Sequence, residues 1–425
     1  MTVTLRSLEV AVPATELAQE DVRDVFAAQP DLTRLGQRLV STSFNSSGIE
    51  RRYSALKEWD GPPDEGEPVF FESGTGRFLN PTTGARNEVF AREATELYTR
   101  VADQALTAAE GIEAADVTHV ITVSCTGFFA PGPDYRIVRA LGLDPSVQRY
   151  HLGFMGCYAA LPALRQAQTI CRADPEAVVL VATVELCTLH VRTSDDPDTI
   201  VGSSLFADGA AAAIVTGRDL PASTPLLRLD HFETVLTPVG EEAMAWNIGD
   251  HGFEMVLGTY VPHIIDEHIT GALVPLLAHD PSLEALPYRD IEHWAIHPGG
   301  RSILDKVEAK LELTEAQLVP ARETLRDYGN MSSATVMFVL DKILHDATPG
   351  SEERVCSMAF GPGLTVETAL MTTIGAPVDG GGSAADGGSA VDAGSAADDV
   401  SATDGVSAAE AGPSVTPVGE PAGRS

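Results

Sequence analysis

Cys157 lies in the stretch HLGFMGCYAALPAL (151–164), directly behind a glycine and ahead of an apolar segment with helical spacing. The glycine lets the backbone turn sharply and a ligand approach the thiol closely. A helix starting there would aim the positive end of its dipole and its unpaired N–H groups at the sulfur, which favours thiolate. Taken alone, the segment fits a buried structural cysteine equally well. Two further segments bear on the choice. HWAIHPGGRSILD (293–305) sets His297 at the end of a buried strand, before Pro-Gly-Gly and another helix. RDYGNMSSATVMFVLDKI (326–343) sets Asn330 after Tyr-Gly at a serine-rich helix start, where a capping role is the plainer reading of that residue alone. Together they form a Cys/His/Asn set, each member near glycine and each at a junction of strand and helix.

Two chemistries use such a set. In cysteine hydrolases of the papain type the three follow in this order, and His297 stands 140 positions after Cys157, within their usual spacing. Their Cys-Gly-Ser-Cys-Trp signature, secretory segment and disulfides have no counterpart here. The other chemistry is acyl transfer with decarboxylative carbon–carbon bond formation. There the cysteine holds an acyl thioester, while His and Asn donate hydrogen bonds to a thioester carbonyl that gains charge as CO₂ leaves.

The segments around these residues predict an α/β layered fold. VTHVITVSC (117–125), AVVLVATVE (177–185), AAAAIVTG (210–217), IEHWAIH (291–297) and RVCSMAFG (354–361) read as buried strands. Segments 91–109, 158–173, 260–277 and 301–313 carry apolar residues three and four apart, as helices do. The second half repeats the order of the first, which predicts a duplicated architecture. Residues 1–222 form the half with the cysteine, and 223–375 the half with His297 and Asn330. Residues 376–425, rich in Gly, Ser, Ala and Asp and free of aromatics, lack the apolar surface to offset their ordering entropy and are expected to be a disordered tail.

The formal charge is −33, and eight acids with one arginine in residues 376–425 account for seven of it, leaving −26 on the body. Such a surface repels nucleic acid and anionic membranes, so neither is an expected partner. The five cysteines are scattered, without a CxxC pair, which argues against a disulfide framework and against structural zinc. No apolar run reaches the roughly 18 residues of a membrane span, and no secretory leader is read, so a cytoplasmic location is expected.

GFMGCYAALPAL, IHPGG, DYGNMSSAT and AFGPGLTVETAL, in this order, resemble the type III polyketide synthases, the chalcone/stilbene synthase-like family, in its bacterial branch. SCTGFFAPGPDY (124–135) and LFADGAAAAIV (205–215) resemble family segments too, and the likeness runs from about residue 5 to 374. It implies a thiolase-like αβαβα five-layer fold of two duplicated halves, a homodimer, and an acyltransferase that needs neither a carrier protein nor a cofactor or metal. The substrates implied are malonyl-CoA and a CoA-linked starter, condensed and cyclised to a pyrone, resorcinol or polyhydroxynaphthalene-type product. Cys157 is then the acyl-thioester nucleophile. His297 activates it and, with Asn330, binds the malonyl carbonyl; Gly299 and Gly300 follow in the same motif. GIERRYSAL (48–56) matches a segment that faces CoA phosphates, making Arg51 and Arg52 candidates, with solvated arginines as the alternative. Gly361, Pro362 and Gly363 match the family's glycine-proline loop, although Ala359 replaces its first glycine. Pocket positions fall at Cys125, at Val191 or His190, and at Phe253 or Met255. These suggest malonyl or fatty acyl starters over coumaroyl ones. A ketoacyl-ACP synthase III-like enzyme shares this fold, but its His-Gln-Ala-Asn motif does not match HPGG.

Overall fold

A computed structural model of the chain describes residues 1–62, 66–258, 260–284 and 286–378. The expected disordered tail therefore lies, from residue 379 on, outside the described residues.

Nine strands form one mixed sheet in the order His293–Ile296, Glu352–Gly361, Thr365–Ile374, Leu226–Leu236, Thr4–Ala11, Asp208–Thr216, Val178–Leu186, His119–Ser124, Gln148–Gly153. The duplication is written in the pairing. In the first half His119–Ser124 runs parallel to Val178–Leu186, which runs antiparallel to Asp208–Thr216, and that strand antiparallel to Thr4–Ala11. In the second half His293–Ile296 runs parallel to Glu352–Gly361, then antiparallel pairs lead to Thr365–Ile374 and Leu226–Leu236. Within the sheet, the strand pairing that joins the halves is that of Thr4 and Leu5 with Arg228 and Leu227. Gln148–Gly153 is an extra parallel strand on the outer edge of the first half.

Val178–Leu186 and Asp208–Thr216 are buried along their whole length, as expected for strands covered on both faces. The alanine run of Asp208–Thr216 keeps that strand thin enough for close packing on each side. On one face lies the long helix Thr83–Ala108, whose Phe90, Ala94, Leu97, Tyr98, Val101 and Ala105 repeat every three or four residues. Between the halves lie the helices Ala160–Ala173 and Thr335–His345, which contact strands of both. Each turns a broad apolar face to the strands, with Leu161, Leu164, Val336 and Val339 fully buried. Val261–Leu277 and Arg301–Leu311 cover the outer face of the second half. The result is the layered architecture expected from the sequence. The two central helices begin just after Cys157 and Asn330, so the duplication brings those residues to equivalent places.

Candidate active site

Cys157 occupies a turn three residues before Ala160, closed by the Ala159 N–H donating to the Gly156 carbonyl at 3.1 Å. Gly156 has φ +89°, and a Cβ there would stand 2.7 Å from Cδ of Pro362, so only glycine fits. The Gly361–Gly363 loop thus presses on the cysteine's own turn. Gly361 gives room to the Tyr158 ring, where a Cβ would come within 2.3 Å, and Gly363 turns the chain at φ +115°.

His297 extends its strand through an N–H bond to the Met358 carbonyl at 2.8 Å, then Pro-Gly-Gly ends it. Its ring is 1 % exposed, and neither Nδ1 nor Nε2 has a partner among the described residues. Desolvation pushes this imidazole down to about 3, so it is neutral. Asn330 is held at both ends of its peptide: its N–H donates to the Leu205 carbonyl and its C=O accepts from Ala207 N–H, each at 2.9 Å. Its Oδ1 accepts from the Ser332 N–H at 2.9 Å and lies 4.0 Å from Cys157 Sγ, while Nδ2 donates to the Gly299 carbonyl at 3.2 Å. The capping role weighed for Asn330 is thus a local turn bond to Ser332, and the amide nitrogen retains a second N–H.

All three side chains line one cavity of about 630 Å³, with Cys125, Phe206, Trp246 and Met255 in its walls. The thiolate expected from a helix start is not what the geometry favours at rest. Burial pushes the Cys157 thiol up to about 11, against hydrogen bonds from Ser332 and Asn330, and the nearby Glu185 charge adds to the rise. Burial thus favours the neutral form of both the cysteine and the histidine.

The other sequence candidates scatter. Arg52 is 3 % exposed and donates to the Ser203 and Phe206 carbonyls, so it is not a surface contact for phosphates. Arg51 is exposed and paired with Asp327 at 3.1 Å. His190, Val191 and Phe253 line a neighbouring cavity of about 420 Å³ rather than that of Cys157. His190 is fixed there, stacked on Phe253 at 4.2 Å, and Trp246 lies edge-on to it. Met255, Phe206, Trp246 and Cys187 form the partition between the two cavities. Leu189 is buried and borders neither of them. Gly299 faces the first cavity, while Gly300 opens onto an outer cleft with Arg301 and Ser46.

Sequence reading missed Phe206, Trp246 and Ser332. Phe206 and Ser332 sit inside motifs already singled out, LFADG and GNMSSAT, so their signal was available. Trp246 had none: only folding of the Met244–Gly249 and Gly252–Leu257 hairpin brings its Nε1–H to the Cys125 carbonyl at 2.8 Å.

The whole body matches a known family. Residues 2–219 match the N-terminal domain of chalcone and stilbene synthases, and residues 229–375 match their C-terminal domain. The chain belongs to this family of type III polyketide synthases. It is 34 % identical over 389 residues to type III polyketide synthase 10 of rice (Oryza sativa subsp. japonica), covering 88 % of this chain and 93 % of that one. Bisdemethoxycurcumin synthase of the same plant is 35 % identical over 302 residues, 68 % of this chain and 74 % of its own. Among solved structures, PKS-I from the brown alga Ectocarpus siliculosus matches with a TM-score of 0.79 at 28 % identity, covering 88 % of this chain and 98 % of that one. The C-terminal type III polyketide synthase domain of Steely1, a type I/III hybrid from Dictyostelium, matches with a TM-score of 0.79 at 27 % identity, covering 88 % and 100 %. Type III polyketide synthases are acyltransferases that work with malonyl-CoA and acyl-CoA, so this chain is an acyltransferase of that class.

Proposed function

We propose that Cys157 carries the starter and the growing chain as a thioester, while His297 and Asn330 hold the malonyl thioester carbonyl. The observation that carries this reading is the pair of unsatisfied donors in one cavity: a buried imidazole without a partner and a free Asn330 N–H. A buried polar group without a partner is costly, and a thioester oxygen would complete both. Breakage of the bond to the malonyl carboxylate releases CO₂ and leaves an enolate, whose negative oxygen these two donors stabilise. The enolate carbon attacks the Cys157 thioester carbonyl, a carbon–carbon bond forms, and the cysteine sulfur leaves. Loading runs through the neutral pair: His297 takes the thiol proton as Cys157 attacks the starter thioester and CoA departs. Decarboxylation itself supplies the carbanion, so the reading calls on no cofactor or metal.

CoA enters, on this reading, by the cleft of Ser46, Gly300, Arg301 and Ser302, next along the chain from Gly299. Arg301, 59 % exposed, takes over the phosphate role that the sequence suggested for Arg51 and Arg52. What supports a homodimer is Gln148–Gly153, a sheet edge with one partner strand and an exposed Tyr150, which leaves backbone groups open to a second copy. Placing Lys at Tyr150 should then shift sedimentation from dimer to monomer, and a wild-type monomer would end that part of the proposal. No helix among the described residues is long and apolar enough to cross a membrane, which agrees with a cytoplasmic site of action. The bacterial branch is suggested by the pocket positions at Cys125, at Val191 or His190, and at Phe253 or Met255; the relatives reported above come from rice, a brown alga and Dictyostelium and give it no support.

Incubation with labelled malonyl-CoA and a panel of starter CoAs tests the reading. Release of CO₂ with a new cyclised product is expected without a carrier protein. Absence of product, or dependence on an acyl carrier protein, would overturn it.

A further inference from the structure

Arg52 has no place in the chemistry just described, yet it is fully buried behind the site. It leaves the strand Arg51–Ser54, and its Nη1 donates to two carbonyls, Ser203 at 2.7 Å and Phe206 at 2.9 Å. Between those carbonyls lies Leu205, whose own C=O receives the Asn330 N–H, and just after them Ala207 donates to the Asn330 C=O. One guanidinium nitrogen therefore grips both ends of the segment that clamps the Asn330 peptide. Cγ of Arg52 also backs onto Gly329, φ +72°, where a Cβ would stand 3.2 Å from it. Phe206, on the same segment, walls the cavity of Cys157. The arginine is itself held: Cζ lies 5.4 Å from the centre of the Phe44 ring, and the Asp208 charge acts on it. Asp208 in turn accepts from Ala55 N–H, Thr188 N–H and Thr188 Oγ. Arg52 Nε and Nη2 have no partner among the described residues.

We infer that Arg52 is a positioning residue for decarboxylation, fixing the 203–207 segment and through it the amide of Asn330 and the wall at Phe206. The inference rests on the reading that Asn330 donates to the malonyl carbonyl. Both carbonyls are buried, so without the cation they lose their donor and the segment must shift to find another. A displacement of about 1 Å in a group that orients a reacting carbonyl is enough to cost roughly 10²-fold in rate. A phosphate contact would behave otherwise, changing affinity for CoA esters and its dependence on salt.

The test measures kcat and KM for malonyl-CoA decarboxylation in wild type, Arg52→Met, Arg52→Lys and Asn330→Ala. Arg52→Met is expected to lose about 10–100-fold in kcat with KM within about threefold of wild type and an unchanged salt dependence of KM. Arg52→Lys, which keeps the charge but not the planar fork, should recover part of the loss. Added guanidinium ion should recover part of it in Arg52→Met and nothing in Asn330→Ala. If Arg52→Met does not fold, the same split of kcat from KM in Arg52→Lys decides. Wild-type kcat in the variants, or a raised KM at unchanged kcat, would overturn the inference. A wild-type protein that released no CO₂ would sink the reading of Asn330 and this inference with it; active wild type beside an equally active Arg52→Met would sink the inference alone.

Discussion

The backbone N–H of Ser332 donates to Oδ1 of Asn330 at 2.9 Å, and this bond decides which end of the Asn330 amide faces which neighbour. A backbone N–H can meet only the oxygen, so the nitrogen must lie on the far side, where it reaches the Gly299 carbonyl at 3.2 Å. One N–H is used there, and the other is the donor that the proposed reading gives to the substrate. The oxygen, 4.0 Å from Cys157 Sγ, is turned toward the thiol.

Asn330→Asp separates donor from shape. The aspartate can keep the Ser332 bond but presents an oxygen to both Gly299 and the substrate. Decarboxylation of malonyl-CoA should fall by about 10²–10³, the usual cost of one lost oxyanion donor. Acyl loading of Cys157, followed by intact mass, should survive better. CO₂ release at the wild-type rate would return Asn330 to a structural role.

Cys157→Ala should abolish polyketide formation. The check is demanding because Cys125 and Cys187 border the same cavity. Burial holds both of those thiols well above the ordinary range, and Cys125 is further engaged by Ser332 Oγ at 3.2 Å. Peptide mass spectrometry after starter loading should find the acyl group on Cys157; finding it on Cys125 would reassign the nucleophile.

Stability should carry the mark of His297 in acid. Its folded value of about 3 lies below the unfolded value near 6.5, so below pH 6.5 the unfolded chain binds a proton that the folded one refuses. Its contribution is therefore complete above pH 6.5 and is lost as pH falls toward 3. Asp208, raised to about 7 by burial, works in the opposite sense between about pH 7 and 4, so the wild-type profile alone is a mixture. The difference between His297→Gln and wild type isolates the histidine. The variant should gain about 1.4 kcal/mol on wild type for each pH unit below 6.5, read from urea midpoints. Parallel profiles would mean that the imidazole is protonated in the folded protein.

The starter pocket gives a fourth outcome. With Trp246 and Phe206 in the partition, the cavity of Cys157 ends before the one that holds His190 and Phe253. Hexanoyl or malonyl starters should give higher kcat/KM than coumaroyl-CoA, since the flexible Met255 adapts to an alkyl chain and a flat rigid starter meets the indole. Trp246→Ala joins the two cavities and should shift the ratio toward the larger starter. Coumaroyl preference in wild type would show that the partition opens.

The expected strands and helices appeared, most with ends within a few residues and the helix read over 91–109 starting eight residues earlier at Thr83, because buried strands and amphipathic helices announce themselves by period. The helix read over 158–173 runs Ala160–Ala173, and the strand read over 177–185 runs Val178–Leu186. The strand pairing that joins the halves within the sheet did not show, since Thr4 and Leu5 make it and two residues have no period. Arg51 and Arg52 show the same limit in the site. Adjacent arginines look alike in sequence, yet on a strand they point to opposite faces, one to solvent and Asp327, the other into the core.

What the sequence determined by itself was the set of residues that share the candidate site. Cys157, His297 and Asn330 were marked by glycines and by junctions of strand and helix, features that local chain geometry imposes wherever the chain goes. What only the tertiary structure decided was their state and their surroundings. Burial, which depends on layers far apart in sequence, made Cys157 and His297 neutral where a local reading of the helix start favoured thiolate. The cavity walls come from Phe206, Trp246 and Met255, on segments whose meeting with Cys157 no local pattern encodes. Local geometry travels with the chain, whereas desolvation and cavity shape belong to the packing of the whole body.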